Sequence, residues 1–118
     1  MKKRILVVDD SHAILDVLSM ALEAEGYEVT TSLTGAGLRQ FERNLPDLIL
    51  LDVLLSGEDG GEICQRLKSD ERTRHIPVIL ISAHAGLQET AGSCGADGFL
   101  VKPFRLTELR DMVNKHLR

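Results

Sequence analysis

Short apolar runs recur along the chain and alternate with longer segments in which apolar residues keep a helical spacing. Continuous apolar runs cover residues 5–8, 48–51, 78–81 and 99–101, and residues 27–31 form a weaker run of the same type. Runs of this length without polar interruption are typical of strands that are covered on both faces, as in a parallel sheet. The pattern therefore predicts a strand at each of these runs.

The segments between these runs predict amphipathic helices. Their apolar stripes consist of Ile14, Leu18 and Leu22; Leu38, Phe41 and Leu45; Ile63 and Leu67; Leu87, Ala91 and Cys94; and Leu106, Leu109, Val113 and Leu117. Gly26 and Pro46 are placed to end the first and second helices. Because glycine costs about 1 kcal/mol inside a helix, Gly86 and Gly92 predict that the fourth helix is short or mobile.

The alternation of strands and helices defines the fold class. Such alternation requires crossover connections, which place helices on both faces of a mostly parallel sheet. We therefore predict an α/β, flavodoxin-like (βα)5 fold, a three-layer sandwich around a doubly wound parallel sheet with strand order 2-1-3-4-5. No linker or low-complexity stretch interrupts the chain, so we expect residues 1–118 to form a single domain.

Composition narrows the setting in which this domain works. The chain is 43% hydrophobic and 27% charged, which is ordinary for a globular domain and excludes a disordered chain. Fourteen Lys and Arg against 18 Asp and Glu leave a net charge of −4, which disfavours direct binding to nucleic acid. Cys64 and Cys94 form no metal or disulfide motif, and no apolar run is long enough for a membrane span. We therefore expect a cytoplasmic protein without membrane contacts.

Polar residues follow the predicted strands at the points where the strands end. In an open parallel sheet, the ligand site lies beyond the carboxyl ends of the strands. The residues at these ends are Asp9 and Asp10, Asp52, Ser82, and Lys102 with Pro103. Singly, each has an ordinary role open to it: the carboxylates as helix caps, Ser82 as a turn hydroxyl and Lys102 as a surface cation. Together they predict one polar crevice.

Three carboxylates in one crevice favour a bound cation. Two carboxylates about 4 Å apart repel by roughly 4 kcal/mol at an effective dielectric constant near 20, and one divalent ion would neutralise Asp9, Asp10 and Asp52 beside Lys102. Oxygen ligands in a site that retains water favour Mg²⁺. A metal, a lysine and a hydroxyl such as Ser82 stabilise charge in phosphoryl transfer, and a carboxylate can itself be the nucleophile. Asp52 is the candidate nucleophile, and its phosphorylation would add a new anion to the crevice.

These residues lie in motifs that resemble the response-regulator receiver domains, the CheY-like family of two-component signalling. The resemblance covers essentially the whole chain and rests on ILVVDDS, DLILLDVLLSGEDGGE, IPVILISA and GADGFLVKPF. It implies a phosphorelay receiver in which Asp52 is the phosphoacceptor. It also implies that Asp10 binds Mg²⁺ directly, that Asp9 does so mainly through water, and that the backbone carbonyl of Leu54 completes the metal contacts.

The resemblance further implies how phosphorylation is sensed. Lys102 would pair with the phosphoryl oxygens and precede a cis bond to Pro103. Ser82 would move to hydrogen-bond the phosphoryl group, and the small Ala83 would leave the pocket open and offer its backbone N–H. Phe99 matches the aromatic switch whose rotamer follows the Ser82 hydroxyl, while a plain core role for Phe99 stays open.

Three residues depart from the pattern that is common in this family. Leu54 stands where many members carry Met or a polar residue, and His84 lies two residues after Ser82. The resemblance implies that both positions flank the path of attacking water, so the lifetime of the phosphorylated state is left open. Ser56 replaces a common proline, which predicts a looser turn.

The resemblance also implies partners. A histidine kinase or a histidine phosphotransfer protein would donate the phosphoryl group, docking near residues 12–18 and the loop after Lys102, and an unidentified output protein or domain would respond. The chain would catalyse only its own phosphorylation and slow dephosphorylation, without acting as a metabolic enzyme. Both a monomer and a phosphorylation-dependent dimer are compatible with the sequence.

Alternatives remain within and outside signalling. The chain is equally compatible with a receiver excised from a longer regulator or hybrid kinase. A haloacid-dehalogenase-type phosphohydrolase would carry D-x-D after the first strand, whereas Asp9 and Asp10 are adjacent. A flavodoxin would need a hydroxyl- and glycine-rich phosphate cradle, which the first turn, DDSHA, lacks.

Overall fold

A computed structural model describes residues 2–41, 44–83 and 85–117 of the chain. Its main sheet contains the strands β1 (Arg4–Val8), β2 (Glu28–Ser32), β3 (Leu48–Asp52), β4 (Val78–Ser82) and β5 (Gly98–Val101). All neighbouring strands are parallel, and their spatial order is β2-β1-β3-β4-β5. The predicted strands and the predicted strand order are therefore confirmed, with each boundary within about one residue of the apolar run.

The α-helices are α1 (His12–Ala24), α2 (Gly60–Ser69), α3 (Leu87–Cys94) and α4 (Leu106–Leu117). The Ser11 side chain caps α1 by accepting a hydrogen bond from the Ile14 N–H at 3.3 Å. Gly26 follows the end of α1 with a φ of 93°, a backbone conformation that favours glycine. The eight-residue α3 is short, as its glycines predicted.

The prediction of an α-helix carrying Leu38, Phe41 and Leu45 is wrong. The structure has a 3₁₀-helix at Gly35–Phe41, and Leu45 lies beyond its end. Two glycines in the first turn lower the helix propensity of this segment, which explains why the tighter and weaker helix type forms there. Leu38 and Leu45 nevertheless pack against the core, so the apolar spacing identified buried residues without identifying the helix type.

The loop after β3 forms a small antiparallel hairpin, in which Leu54–Leu55 pairs with Glu58–Asp59. The hairpin returns close to β3, because a Cβ added at Gly60 would lie 2.2 Å from the backbone oxygen of Asp52. A glycine is therefore required where α2 begins. The sequence predicted a looser turn at Ser56 and not this hairpin.

The core lies in two layers, one on each face of the sheet, which confirms the three-layer arrangement. One layer contains Leu6, Leu51 and Leu80 together with residues of α2 and α3. The other contains Leu50 and Ile81 with residues of α1 and α4. Alternate residues of one strand thus face opposite layers, which explains why these strands are apolar throughout. Within the described ranges, no helix has the length and apolar character needed to cross a membrane.

Candidate functional site

Lys102 joins two carboxylates at the carboxyl edge of the sheet. Its ammonium nitrogen lies 2.8 Å from Asp9 Oδ2 and 3.3 Å from Asp52 Oδ2. Asp9 is 0% exposed and Asp52 is 4% exposed. Because buried carboxylates require a compensating charge, the position of Lys102 between them stabilises both. The site thus unites three residues that the sequence placed after three different strands.

Strand register brings these residues together. Val8 pairs with Leu51, so Asp9 and Asp52 each follow at the same edge of neighbouring strands. On the other side, Ser82 pairs with Val101, and the Lys102 N–H donates to the Ser82 carbonyl at 2.9 Å. The Lys102-Pro103 peptide bond is cis, as expected.

Asp10 completes a cluster of carboxylates. Asp9, Asp10 and Asp52 each offer an oxygen, and these oxygens lie within 4.8 Å of one another. Asp10 is exposed, whereas the other two are buried. The donor set consists of carboxylate oxygens, which suits a hard divalent cation. These three residues therefore fit a metal that is open to solvent on the Asp10 side.

The charges of the site change its acid–base behaviour. Burial, together with the negative charge of Asp9, raises the pKa of Asp52 above its usual range, although Lys102 and the Leu54 N–H pull it down. Burial alone would lower the pKa of Lys102, but its hydrogen bond to Asp9 and the attraction of both carboxylates raise that pKa overall. The lysine is therefore held as a cation.

The residues predicted to sense phosphorylation lie at or near the same edge. Ser82 ends β4 and is buried, and Ala83 follows it and is exposed. Phe99 is half-buried and packs against the core layer that contains α2 and α3. The structure thus places Ser82 and Ala83 at the edge of the crevice and Phe99 in the neighbouring strand.

The hairpin supplies contacts that sequence reasoning missed. The Leu54 N–H donates to Asp52 Oδ1 at 3.2 Å, and the Ser56 hydroxyl donates to Asp10 Oδ2 at 3.0 Å. Ser56 was noted as a departure, but its contact with Asp10, 46 positions away, had no signal in the sequence. Leu54 is 59% exposed. His84 lies outside the described residues.

The fold and this site define a class of protein: a flavodoxin-like α/β domain with an acidic cluster and a lysine at the carboxyl edge of its sheet. The particular family follows from comparison with known proteins. The chain belongs to the response regulator receiver domain family, whose model matches residues 5–114. It is therefore a receiver domain of the kind that two-component response regulators contain.

Individual relatives agree with this assignment. The chain is 48% identical over 106 residues to the response regulator PleD of Caulobacter vibrioides, covering 87% of this chain and 23% of PleD. A crystal structure described as a response regulator from Chloroflexus aurantiacus matches with a TM-score of 0.93 and 32% identity, covering 99% of this chain and 98% of that one.

A third match is an activated form of a receiver. The beryllofluoride-activated DrrB receiver domain, from a Thermotoga maritima protein, has a TM-score of 0.88 and 32% identity and covers 99% of this chain and 98% of that one. The chain spans about half the length, or less, of the curated relatives that it matches.

Proposed function

We propose that residues 1–118 form a single receiver domain that accepts a phosphoryl group on Asp52. One observation carries this proposal: Lys102 bridges Asp9 and Asp52 within a cluster of three carboxylates. Among these carboxylates, Asp52 ends the central strand β3, where it pairs with Ile81, the residue before Ser82 in β4. A carboxylate in this position can attack phosphorus while the adjacent Lys102 ammonium stabilises the negative charge that develops.

The chemical step is a transfer from nitrogen to oxygen. An Asp52 oxygen forms a bond to the phosphorus of a phosphohistidine, and the P–N bond breaks. The electron pair of that bond returns to the imidazole, which leaves. Lys102 then faces an anion of about −2 at Asp52 in place of a single carboxylate charge, so we expect its contacts to shift toward the phosphoryl oxygens.

A divalent cation fits the acidic cluster, and we infer that it is Mg²⁺. Asp10 and Asp52 would hold the ion directly, Asp9 mainly through water, and the Leu54 carbonyl would complete the protein contacts. When bound, Mg²⁺ supplies positive charge that offsets the charge on the phosphoryl oxygens. Oxygen donors and an exposed Asp10, which leaves room for retained waters, support this choice of metal.

We infer that the phosphorylated state is read through Ser82, Ala83 and Phe99. Ser82 would hydrogen-bond the phosphoryl group and Ala83 would donate its backbone N–H. A shift of Ser82 would reach β5, because the two strands pair at Ser82 and Val101. Phe99 lies two residues earlier on β5 and packs against the core layer that contains α2 and α3, so we infer that this strand carries the change to an output partner.

An apolar groove lies beside the site. It has a volume of about 440 Å³ and runs between α1 and the segment after Lys102, lined by Ile14, Val17, Phe104 and Leu106. Lys102 itself borders the groove. We infer that a histidine kinase or phosphotransfer protein docks here, in the cytoplasm, where Cys64 and Cys94 stay reduced as free thiols.

The test is to incubate the protein with Mg²⁺ and acetyl phosphate and to measure its intact mass. We expect one phosphoryl adduct on the wild-type protein. It should be absent when EDTA removes the metal and absent in Asp52→Asn, because an amide has no carboxylate oxygen that can attack phosphorus. Equal Mg²⁺-dependent labelling of Asp52→Asn would contradict the assignment.

Beryllofluoride, a stable mimic of an acyl phosphate, separates rapid hydrolysis from an inactive pocket. An adduct that hydrolyses before it is measured should still leave a beryllofluoride complex in the wild-type protein and none in Asp52→Asn. Absence of both the adduct and the complex would favour an interaction module that works without phosphorylation.

A further inference from the structure

The Ser56 hydroxyl contacts the acidic cluster from outside the sheet. It donates to Asp10 Oδ2 at 3.0 Å, across 46 positions of sequence. Asp10 belongs to the cluster whose oxygens lie within 4.8 Å of one another. A hydroxyl hydrogen bond to a carboxylate restricts the rotation of that carboxylate, so Ser56 is placed to set the orientation of Asp10.

Ser56 is itself held by the hairpin in which it lies. The strands Leu54–Leu55 and Glu58–Asp59 pair on either side of it, and the Gly60 N–H donates to the Val53 carbonyl at 2.8 Å. On the outer side, Glu58 Oε1 accepts a hydrogen bond from the Gly35 N–H at 2.8 Å. The turn is thus anchored both to the residue that follows β3 and to the start of the 3₁₀-helix.

The three carboxylates are held in different ways. Asp9 uses both oxygens, since Oδ1 accepts from the Ser11 N–H and Oδ2 from Lys102. Asp52 does the same with the Leu54 N–H and Lys102. In the ranges that the structure describes, Asp10 Oδ2 accepts from Ser56 and Oδ1 accepts no hydrogen bond. Asp10 therefore keeps one oxygen available for a cation.

We propose that Ser56 is a positioning residue for the metal site: its hydroxyl fixes one oxygen of Asp10 so that the other faces the cation. This inference rests on the proposed function, because it concerns the same acidic cluster. Without the hydroxyl, repulsion from Asp9 and Asp52 would turn the exposed Asp10 carboxylate toward solvent. Each metal-binding event would then have to restore its orientation.

The test is to titrate Mg²⁺ by calorimetry into the wild-type protein, Ser56→Ala and Ser56→Thr. We expect Ser56→Ala to raise the Mg²⁺ Kd by about three- to tenfold. Residues that hydrogen-bond a metal ligand usually change metal affinity by about 10- to 100-fold. We expect a smaller effect here because Ser56 is exposed. Ser56→Thr keeps the hydroxyl, so its Kd should stay within about twofold of wild type.

Ser69→Ala is the matched control, since Ser69 is an exposed serine whose hydroxyl donates to the Gln65 carbonyl at 2.8 Å in α2. Its Mg²⁺ Kd should not change. A second readout uses metal-free protein: the carboxyl ¹³C resonance of Asp10 should move in Ser56→Ala and stay in place in Ser69→Ala.

Three results would overturn the inference. They are an unchanged Kd in Ser56→Ala, an equal loss in Ser56→Thr, and a large fall in the metal-free thermal midpoint of Ser56→Ala, which would assign the effect to hairpin stability. If wild type is labelled at Asp52 but Ser56→Ala binds Mg²⁺ normally, the proposed function stands and this inference fails. If wild type neither binds Mg²⁺ nor takes up a phosphoryl group, both fail.

Discussion

The site has an inner group and a rim, and the two are built differently. The inner group consists of Asp9, Asp52, Ser82 and Lys102, and its two carboxylates are buried. The rim consists of Asp10, Leu54 and Ser56, all of them exposed. The carboxyl ends of β1, β3, β4 and β5 position the inner group, whereas the β1–α1 turn and the hairpin position the rim.

This difference separates two properties of the site. The inner group depends on the register of a buried parallel sheet, so its geometry is as rigid as the core beneath it. The rim depends on a few exposed hydrogen bonds, which compete with water and contribute less. We therefore expect substitutions in the inner group to change stability and the capacity for chemistry, and substitutions in the rim to change metal affinity and the lifetime of the phosphorylated state.

The largest effect on stability should come from Lys102→Ala. This change leaves Asp9 and Asp52 facing each other without a cation, and we expect it to lower the free energy of unfolding by about 2–4 kcal/mol. The range is below that of a fully buried pair because the Lys102 side chain is 21% exposed. Urea unfolding in EDTA measures this loss of unfolding free energy. Lys115→Ala, at an exposed lysine of α4, is the control.

Added Mg²⁺ should restore part of the stability that Lys102→Ala loses, because the ion replaces the missing positive charge. The metal should still bind, since the carboxylates remain. A loss no greater than that of Lys115→Ala would show that the inner group does not depend on its lysine.

A smaller effect of opposite sign is expected for Asp52→Asn. Burial raises the pKa of Asp52 in the folded state, so the folded protein favours the protonated, neutral form. At neutral pH the ionised side chain therefore costs stability, and the neutral amide should raise the thermal midpoint in EDTA by a few degrees. Thermal unfolding of the two proteins, compared by circular dichroism, measures this gain.

The pH dependence of that gain provides its control. The stability that protonated Asp52 contributes is complete below its ordinary pKa of 3.8 and is lost as the pH rises through the raised folded-state pKa. The difference in thermal midpoint between wild type and Asp52→Asn should thus become smaller as the pH falls from neutrality. A difference in thermal midpoint that does not change with pH, or an Asp52→Asn variant that is less stable at neutral pH, would show that the ionised Asp52 does not destabilise the folded state.

The smallest effect should come from the rim residue Leu54. We infer from the family resemblance that the exposed apolar side chain of Leu54 flanks the path of water to Asp52, so Leu54→Ala should speed hydrolysis of the acyl phosphate by about two- to fivefold. Release of inorganic phosphate after labelling and removal of acetyl phosphate gives the rate. Met20→Ala, which truncates an exposed apolar residue of α1, should leave the hydrolysis rate unchanged. Equal rates in wild type, Leu54→Ala and Met20→Ala would show that the Leu54 side chain does not hinder the attacking water.

The same division explains what the sequence could predict. The strands of the sheet are buried on both faces, which leaves continuous apolar runs such as residues 48–51 and makes their ends easy to locate. Because parallel strands end at one edge, Asp9, Asp52 and Lys102 could be placed in one crevice before the structure was known. The hydrogen bonds from Lys102 to Asp9 and Asp52 confirm that these three side chains lie together.

Local pattern fails where a few exposed contacts decide the structure. The hairpin has strands of two residues each, too short to show any periodicity. Its Ser56–Asp10 hydrogen bond joins two distant turns, so neither turn alone contains it. The segment Gly35–Phe41 has a helical apolar spacing, but spacing does not distinguish an α-helix from a 3₁₀-helix when glycines weaken the first turn.

We propose that the inner carboxylate Asp52, rather than Asp9 or the rim residue Asp10, takes the phosphoryl group. Borohydride reduces an aspartyl phosphate to homoserine, so reduction of the acetyl phosphate-treated protein, followed by proteolysis and tandem mass spectrometry, identifies the modified position. We expect homoserine at residue 52 only, and only when Mg²⁺ was present during labelling. Homoserine at residue 9 or 10 would contradict it.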